Sequence, residues 1–109
     1  MKKLEAIIKP FKLQDVKSAL AELRIEAMTV SEVKGFPLSV EQNRVNGGSP
    51  GFSAKLKIEL IVKNELLVSA IAAIKQSART DRRDDGKIFV KDLVEVIRIR
   101  TEERGERAI

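Results

Sequence analysis

Apolar residues recur along this chain with two periods that alternate. Leu4, Ala6, Ile7 and Ile8 fall within the stretch Lys3–Lys9, which Pro10 stops; the run reads as a short buried strand. From Leu13 the period lengthens. Val16, Ala19, Leu20 and Leu23 lie at i, i+3, i+4 and i+7, the stripe of an amphipathic helix, with Lys12, Gln14, Asp15, Lys17, Ser18 and Glu22 on its polar side. Met28–Phe36 holds Thr29, Val30 and Val33, residues that suit a strand, and Gly35 closes the run. Pro37–Ser53 keeps no period and gathers Asn43, Asn46, Gly47, Gly48, Pro50 and Gly51, which are turn residues. So long an aperiodic loop in a small domain points to function rather than to a passive excursion. Leu56, Ile58, Leu60 and Val62 then alternate with Lys57 and Glu59 as a strand. Asn64 is placed to cap a helix striped by Leu67, Ala70, Ile71, Ile74 and Ala78. Arg79–Gly86 reads as a charged loop. Lys87–Val90 and Val94–Arg100 read as strands, bent near Lys91 and Asp92, and Thr101–Ala108 as a polar, mobile tail.

Strand, helix, strand, long loop, strand, helix, strand is the doubled βαβ order of a ferredoxin-like α+β sandwich. It has an antiparallel sheet with two helices on one face. No linker or composition shift divides residues 1–109, so one domain is expected. The other sheet face is left without helices. Val94 and Val96 would share one side of the last strand and Leu93, Ile97 and Ile99 the other. Apolar residues on both sides predict a homo-oligomer that covers the second face.

Composition narrows the chemistry. The chain has 109 residues, 43% hydrophobic and 34% charged, which excludes a disordered tail. No apolar run approaches the roughly 20 residues of a membrane span, and the N-terminal stretch is too short for a secretory signal. There is no Cys, so disulfides, thiolate catalysis and thiolate metal sites are excluded, as fits a cytoplasmic address. There is no His either, which removes the commonest general base, and the usual triads cannot be built. An enzyme is not expected. With no Trp or Tyr and only four Phe, stacking platforms for nucleic acid are scarce. Lys and Arg number 21 against 16 Asp and Glu, a net charge of +5 that suits phosphate-bearing partners.

Where the cations fall gives that surplus a place. On a strand, Arg98 and Arg100 would point the same way about 6–7 Å apart and clamp successive phosphates. Gly86 would let backbone N–H groups approach an anion, with Lys87 beside them. Read blandly, these are an exposed ion-pairing strand end and a solvated charged turn, and the residues alone leave both readings open. The GxxxxGK[ST] spacing of a Walker loop is absent. Asp84 and Asp85 are either solvated carboxylates or a seat for a hard cation such as Mg²⁺ beside a nucleotide; no resident metal site is expected.

Taken together, the segments Met1–Leu13, Met28–Phe36, Lys55–Leu60, Asp85–Val90, Val96–Thr101 and Arg104–Ile109 resemble the PII signal-transduction family over nearly the whole chain. That resemblance implies a ferredoxin-like homotrimer. It would bind adenine nucleotides (ADP, AMP or ATP, the last with Mg²⁺) in clefts between subunits and regulate a target protein, such as a membrane transporter, through a T-loop. Here the T-loop is about 37–53, the B-loop about 80–87 and the C-terminal tail about 101–109. By motif, Gly86, Lys87, Arg98 and Arg100 would hold phosphates, and Thr29, Gly35, Glu59 and Ile61 would surround adenine and ribose. Asp84 and Asp85 belong to the same B-loop.

The departures from the family pattern are also informative. The T-loop tyrosine that the family uridylylates has no counterpart, since the chain lacks Tyr. Pro37, Leu38 and Ser39 replace a glycine, an arginine and a glutamine. Ser39 and Lys55 are therefore the effector candidates, with the glutamine missing. Asp84 replaces a B-loop glycine, and its carboxylate beside a polyphosphate is repulsive, so ADP or AMP is expected to compete better against ATP. These departures suggest a divergent branch tied to inorganic carbon, with bicarbonate sensed. The alternatives are a nitrogen regulator that senses ATP, ADP and 2-oxoglutarate, a nucleic-acid-binding sheet, and a slow nucleotide hydrolase.

Overall fold

A computed structural model describes residues 1–38 and 51–109 of the chain. Its first strand, β1 (Lys2–Ile8), buries Leu4, Ala6 and Ile8 in strict alternation. Pro10 ends it and opens a single 3-10 turn that feeds α1 (Leu13–Glu22). The helix stops where Arg24 takes a left-handed backbone, φ 60°. β2 (Thr29–Gly35) and β3 (Ser53–Val62) follow, then α2 (Leu67–Ala78) and β4 (Ile88–Asp92). All pairings are antiparallel and the sheet order is β2-β3-β1-β4, the ferredoxin-like arrangement. Both helices lie on one face. Val16 and Leu20 of α1 and Ala70 and Ile74 of α2 meet Leu4, Ala6, Ile58 and Leu60 of the central strands in one buried core.

Three expectations from the sequence differ from this structure. Asn64 does not cap α2; a 3-10 turn begins there, the helix starts at Leu67, and Asn64 Oδ1 accepts a hydrogen bond of 2.8 Å from the Met1 nitrogen. Val94–Arg100 is not a strand. Among the described residues β1 is the only neighbour of β4, and their ladder ends at Lys2 opposite Asp92, so the chain beyond finds no further β1 edge to pair with. It folds back on itself instead. Ile97 bridges Arg104, Arg98 N–H donates to Glu103 O (2.9 Å), and Glu102 N–H donates to Arg98 O (2.9 Å), with Glu102 left-handed at φ 62°. The polar tail is therefore folded: Gly105 N–H reaches Val96 O at 3.0 Å and Ala108 is buried.

The sheet face away from the helices carries charge. Register places Lys3 and Glu5 of β1, Lys57, Glu59 and Ile61 of β3, and Phe89 and Lys91 of β4 on it. Its charges are paired in a row. Lys91 meets Glu5 (3.2 Å), Glu5 meets Lys3 (3.4 Å), Lys3 meets Glu59 (3.0 Å) and Glu59 meets Lys57 (3.3 Å). Past the end of β4, Val94 and Ile99 are each 99% exposed.

Candidate functional site

The β2–β3 ribbon sorts the expected site residues into two groups. Thr29 pairs with Glu59 at one end and Gly35 with Ser53 at the other, six residues and about 20 Å away. Around the first end, Thr29, Glu59, Ile61 and Arg98 share a groove of about 880 Å³ with Lys3 and Met28. Around the second, Gly35 lies beside Lys55, and the loop Thr80–Lys87 closes over the ends of β1 and β3. A smaller cavity of about 200 Å³ lies under this loop, lined by Ile7, Lys9, Ile74, Arg79, Asp85 and Gly86.

The first end is a cationic rim around a paired acid. The Lys3 ammonium, and then Lys57, hold the Glu59 carboxyl below the ordinary carboxylate range, so it is ionised at neutral pH. Arg98 and Arg100 are not in phase on a strand, as the sequence predicts, because both sit in the fold-back turn. Arg98 Nη2 donates to the Ile109 carbonyl at 3.2 Å. Arg100 is exposed, and no ion pair among the described residues involves either arginine.

The second end is organised by the two aspartates of the loop. Asp85 closes the loop on itself: its Oδ2 accepts from Thr80 N–H at 2.8 Å and its Oδ1 from the Thr80 hydroxyl. Those two donors hold its pKa at about 2. Asp81 turns the chain with φ 59°, a left-handed position that Asp tolerates. Asp84 reaches the sheet instead. Its Oδ1 lies 2.8 Å from Lys9 Nζ, its Oδ2 lies 3.4 Å from Lys55 Nζ, and its carbonyl accepts from Lys55 Nζ at 2.7 Å. Lys9 leads in holding the Asp84 carboxyl below its usual range, ahead of Lys55.

Gly86 has a packing reason that the sequence does not reveal. A Cβ there would lie 1.7 Å from the Ile7 carbonyl oxygen, because Ile7 N–H donates to Lys87 O at 3.0 Å and draws the two backbones together. Lys87 itself is exposed, and no ion pair among the described residues uses it. Ser39 and most of the 37–53 segment lie outside the described residues. At the base of that segment Phe36 meets Phe52 (ring centroids 5.6 Å), and Lys34 Nζ lies 4.8 Å from the Phe52 centroid. Sequence reasoning missed Lys9, Thr80 and Lys3. Lys9 carries a faint local signal, a cation just before the proline that ends β1, but its partners come from the remote loop.

Among the described residues no three His, Cys, Asp or Glu side chains gather to hold a metal ion. No helix of the described residues is long and apolar enough to cross a membrane.

Comparison with known proteins gives a consistent result. The family model described as nitrogen regulatory protein P-II matches residues 1–103. The nitrogen regulatory protein P-II of Rhodospirillum rubrum is 50% identical over 112 aligned positions, covering 100% of both chains. Nitrogen regulatory protein P-II 1 of Escherichia coli K12 is 46% identical with the same coverage. The crystal structure of Arabidopsis thaliana PII bound to citrate superposes with a TM-score of 0.84 at 44% identity, covering 99% of this chain and 91% of that one.

Proposed function

The chain belongs to the nitrogen regulatory protein P-II family, whose members are signalling regulators rather than enzymes, and from that premise we propose that it is a homotrimeric, cytoplasmic sensor of adenine nucleotides. One observation carries the reading: the ligand-binding candidates form two incomplete halves that line separate cavities. Gly86 and Lys87 line the small cavity under the loop, whereas Thr29, Glu59 and Arg98 line the larger groove, and the two share no residue. No single copy brings both halves to one small ligand. A second copy, docked on the uncovered face beside Val94 and Ile99, supplies the missing half at each seam. The phosphates then lie between Lys87 of one copy and Arg98 and Arg100 of the next, and adenine and ribose in the groove beside Thr29, Ile61 and Glu59. Nucleotide occupancy would bias the 37–53 segment, through which a target protein reads the signal.

The similarity to curated nitrogen regulators, 46–50% over the full chain, favours the nitrogen branch over a bicarbonate-sensing one. The proposed effector class is a small polycarboxylate, since Lys55 is a buried cation at the loop base and the Arabidopsis relative was solved with citrate. The nucleic-acid reading is disfavoured by the charge row, in which the lysines of the open face are already paired with Glu5 and Glu59.

Light scattering and calorimetric titration with ADP and ATP test this function. The expected result is a mass three times that of the chain, nucleotide uptake, and at least a tenfold loss of affinity in both Lys87→Ala and Arg98→Ala. The loss follows from the charge-assisted phosphate bonds removed, about 1.5–3 kcal/mol each. Ile99→Asp is expected to disperse the assembly and abolish binding. A monomeric wild-type protein, or no uptake at millimolar nucleotide, refutes it.

A further inference from the structure

Lys55 is the one buried charged side chain among the described residues, 7% exposed. The β1–β3 register explains why it is not alone. Ile8 pairs with Leu56, so the next step of the ladder sets Lys9 opposite Lys55, on the sheet face away from the helices. Lys9 is also enclosed, its side chain 11% exposed. Like charges directly opposed across a ladder repel, and more strongly where water is excluded. Such a pair needs an anion between its members, and the Asp84 carboxylate is that anion, one oxygen toward each ammonium.

The three groups are held unequally. The two lysines rise from paired or near-paired strand backbone. The Asp84 side chain is 59% exposed and its carboxylate has no other bonded partner among the described residues. The flanks of Asp84 are fixed independently of it, Asp85 by Thr80 and Gly86 by its wedge against Ile7. Rotation of the Asp84 side chain would therefore withdraw its carboxylate from both ammoniums without opening the loop, leaving Lys55 Nζ on the Asp84 carbonyl (2.7 Å) and Lys9 Nζ beside the Thr80 hydroxyl (3.0 Å) and Asp85 (3.5 Å). The groups facing Asp84 are Lys9 from the end of β1, Lys55 from β3, and Asp85 from its own loop, the last 3.5 Å from Lys9 Nζ.

We infer that Asp84 is a built-in occupant of the anion-binding end formed by Lys9 and Lys55, which an incoming phosphate or carboxylate group displaces. This deepens the proposed function by naming the residue that sets which anions are accepted at the loop end of the cleft. A ligand with an anionic group long enough to reach the two lysines meets the internal competitor. A shorter one, held at Lys87 alone, does not. Asp84 thus selects by reach and charge.

Calorimetric titration of the full chain with inorganic tripolyphosphate tests this without using adenine. Wild type is compared with Asp84→Asn, with Asp84→Gly as a second charge-free loop should the first variant fold poorly, and with each of these combined with Lys55→Gln. The inference expects at least tenfold tighter tripolyphosphate binding on loss of the Asp84 charge, and return to wild-type weakness when Lys55 is also replaced. Equal affinity in wild type and Asp84→Asn overturns it, as does an absence of binding to both, or tightening that survives Lys55→Gln. Failure of ADP to bind, with the tripolyphosphate pattern intact, overturns the nucleotide reading and leaves the anion-binding end standing.

Discussion

Replacing Gly86 with alanine is the sharpest test of why a glycine stands in the loop. The added Cβ would fall 1.7 Å from the Ile7 carbonyl oxygen and 2.6 Å from its carbon. Against a normal contact of about 3.5 Å, the backbones must separate by roughly 2 Å. Both contacts are backbone atoms in the sheet, so no side chain can rotate away. Separation breaks the 3.0 Å bond from Ile7 N–H to Lys87 O, a net loss of about 1 kcal/mol. Overpacking strain adds about 1–3 kcal/mol, for a total of about 2–4 kcal/mol. In a domain of this size that lowers Tm by roughly 10–25 °C. Gly105→Ala and Gly35→Ala calibrate the measurement. Gly105 has nothing within 4 Å but a φ of +67°, so alanine there costs about 1–2 kcal/mol of left-handed strain. Gly35 meets only ordinary contacts at 3.5 Å, and its alanine variant stays within about 0.5 kcal/mol of the parent. Thermal unfolding followed by circular dichroism should rank the variants in that order. If Gly86→Ala melts within about 2 °C of wild type and only nucleotide uptake falls, the packing argument is wrong and the glycine serves the ligand alone.

Two further outcomes follow from the core and from the loop. Ile74 is 1% exposed against the sheet, and Ile74→Ala is expected to lower unfolding free energy by about 3 kcal/mol in urea titration with an unchanged m-value. The pKa of Asp85 is depressed from 3.8 to about 2, so its contribution to loop closure is complete above about pH 4 and is lost as pH falls through 2. Hydrogen-exchange protection of the Thr80 amide, compared at matched intrinsic rates, should drop across that window and be absent at all pH values in Asp85→Ala.

Much of the architecture is legible in local pattern. The alternation of Leu4, Ala6 and Ile8 and the helical spacing of Val16, Leu20, Ala70 and Ile74 record which face each element buries, and those residues form the core. The C-terminal misreading has a physical origin. Val94–Arg100 alternates as a strand does, but alternation records only that apolar groups seek cover. It does not say that a backbone partner exists, and the β1 edge ends at Lys2. The halves of the candidate site are legible as residue types, while their separation is not, because it depends on which cavity the fold brings each residue to. The Lys9–Lys55 pair depends likewise on a match between residues 46 positions apart, read from Ile8 opposite Leu56. Asp84 is conspicuous in the sequence as an acid where phosphate is expected. Its neutralising role needs the two lysines in place.

On the proposed assembly, the division of the cleft between Lys87 of one copy and the arginines of the next makes each copy a donor to two different neighbours. A chain defective at Lys87 still lends sound arginines forward, and one defective at Arg98 still lends a sound lysine back. Mixed rings of two individually inactive proteins would therefore regain some working clefts, a complementation that a pocket enclosed within one polypeptide cannot display.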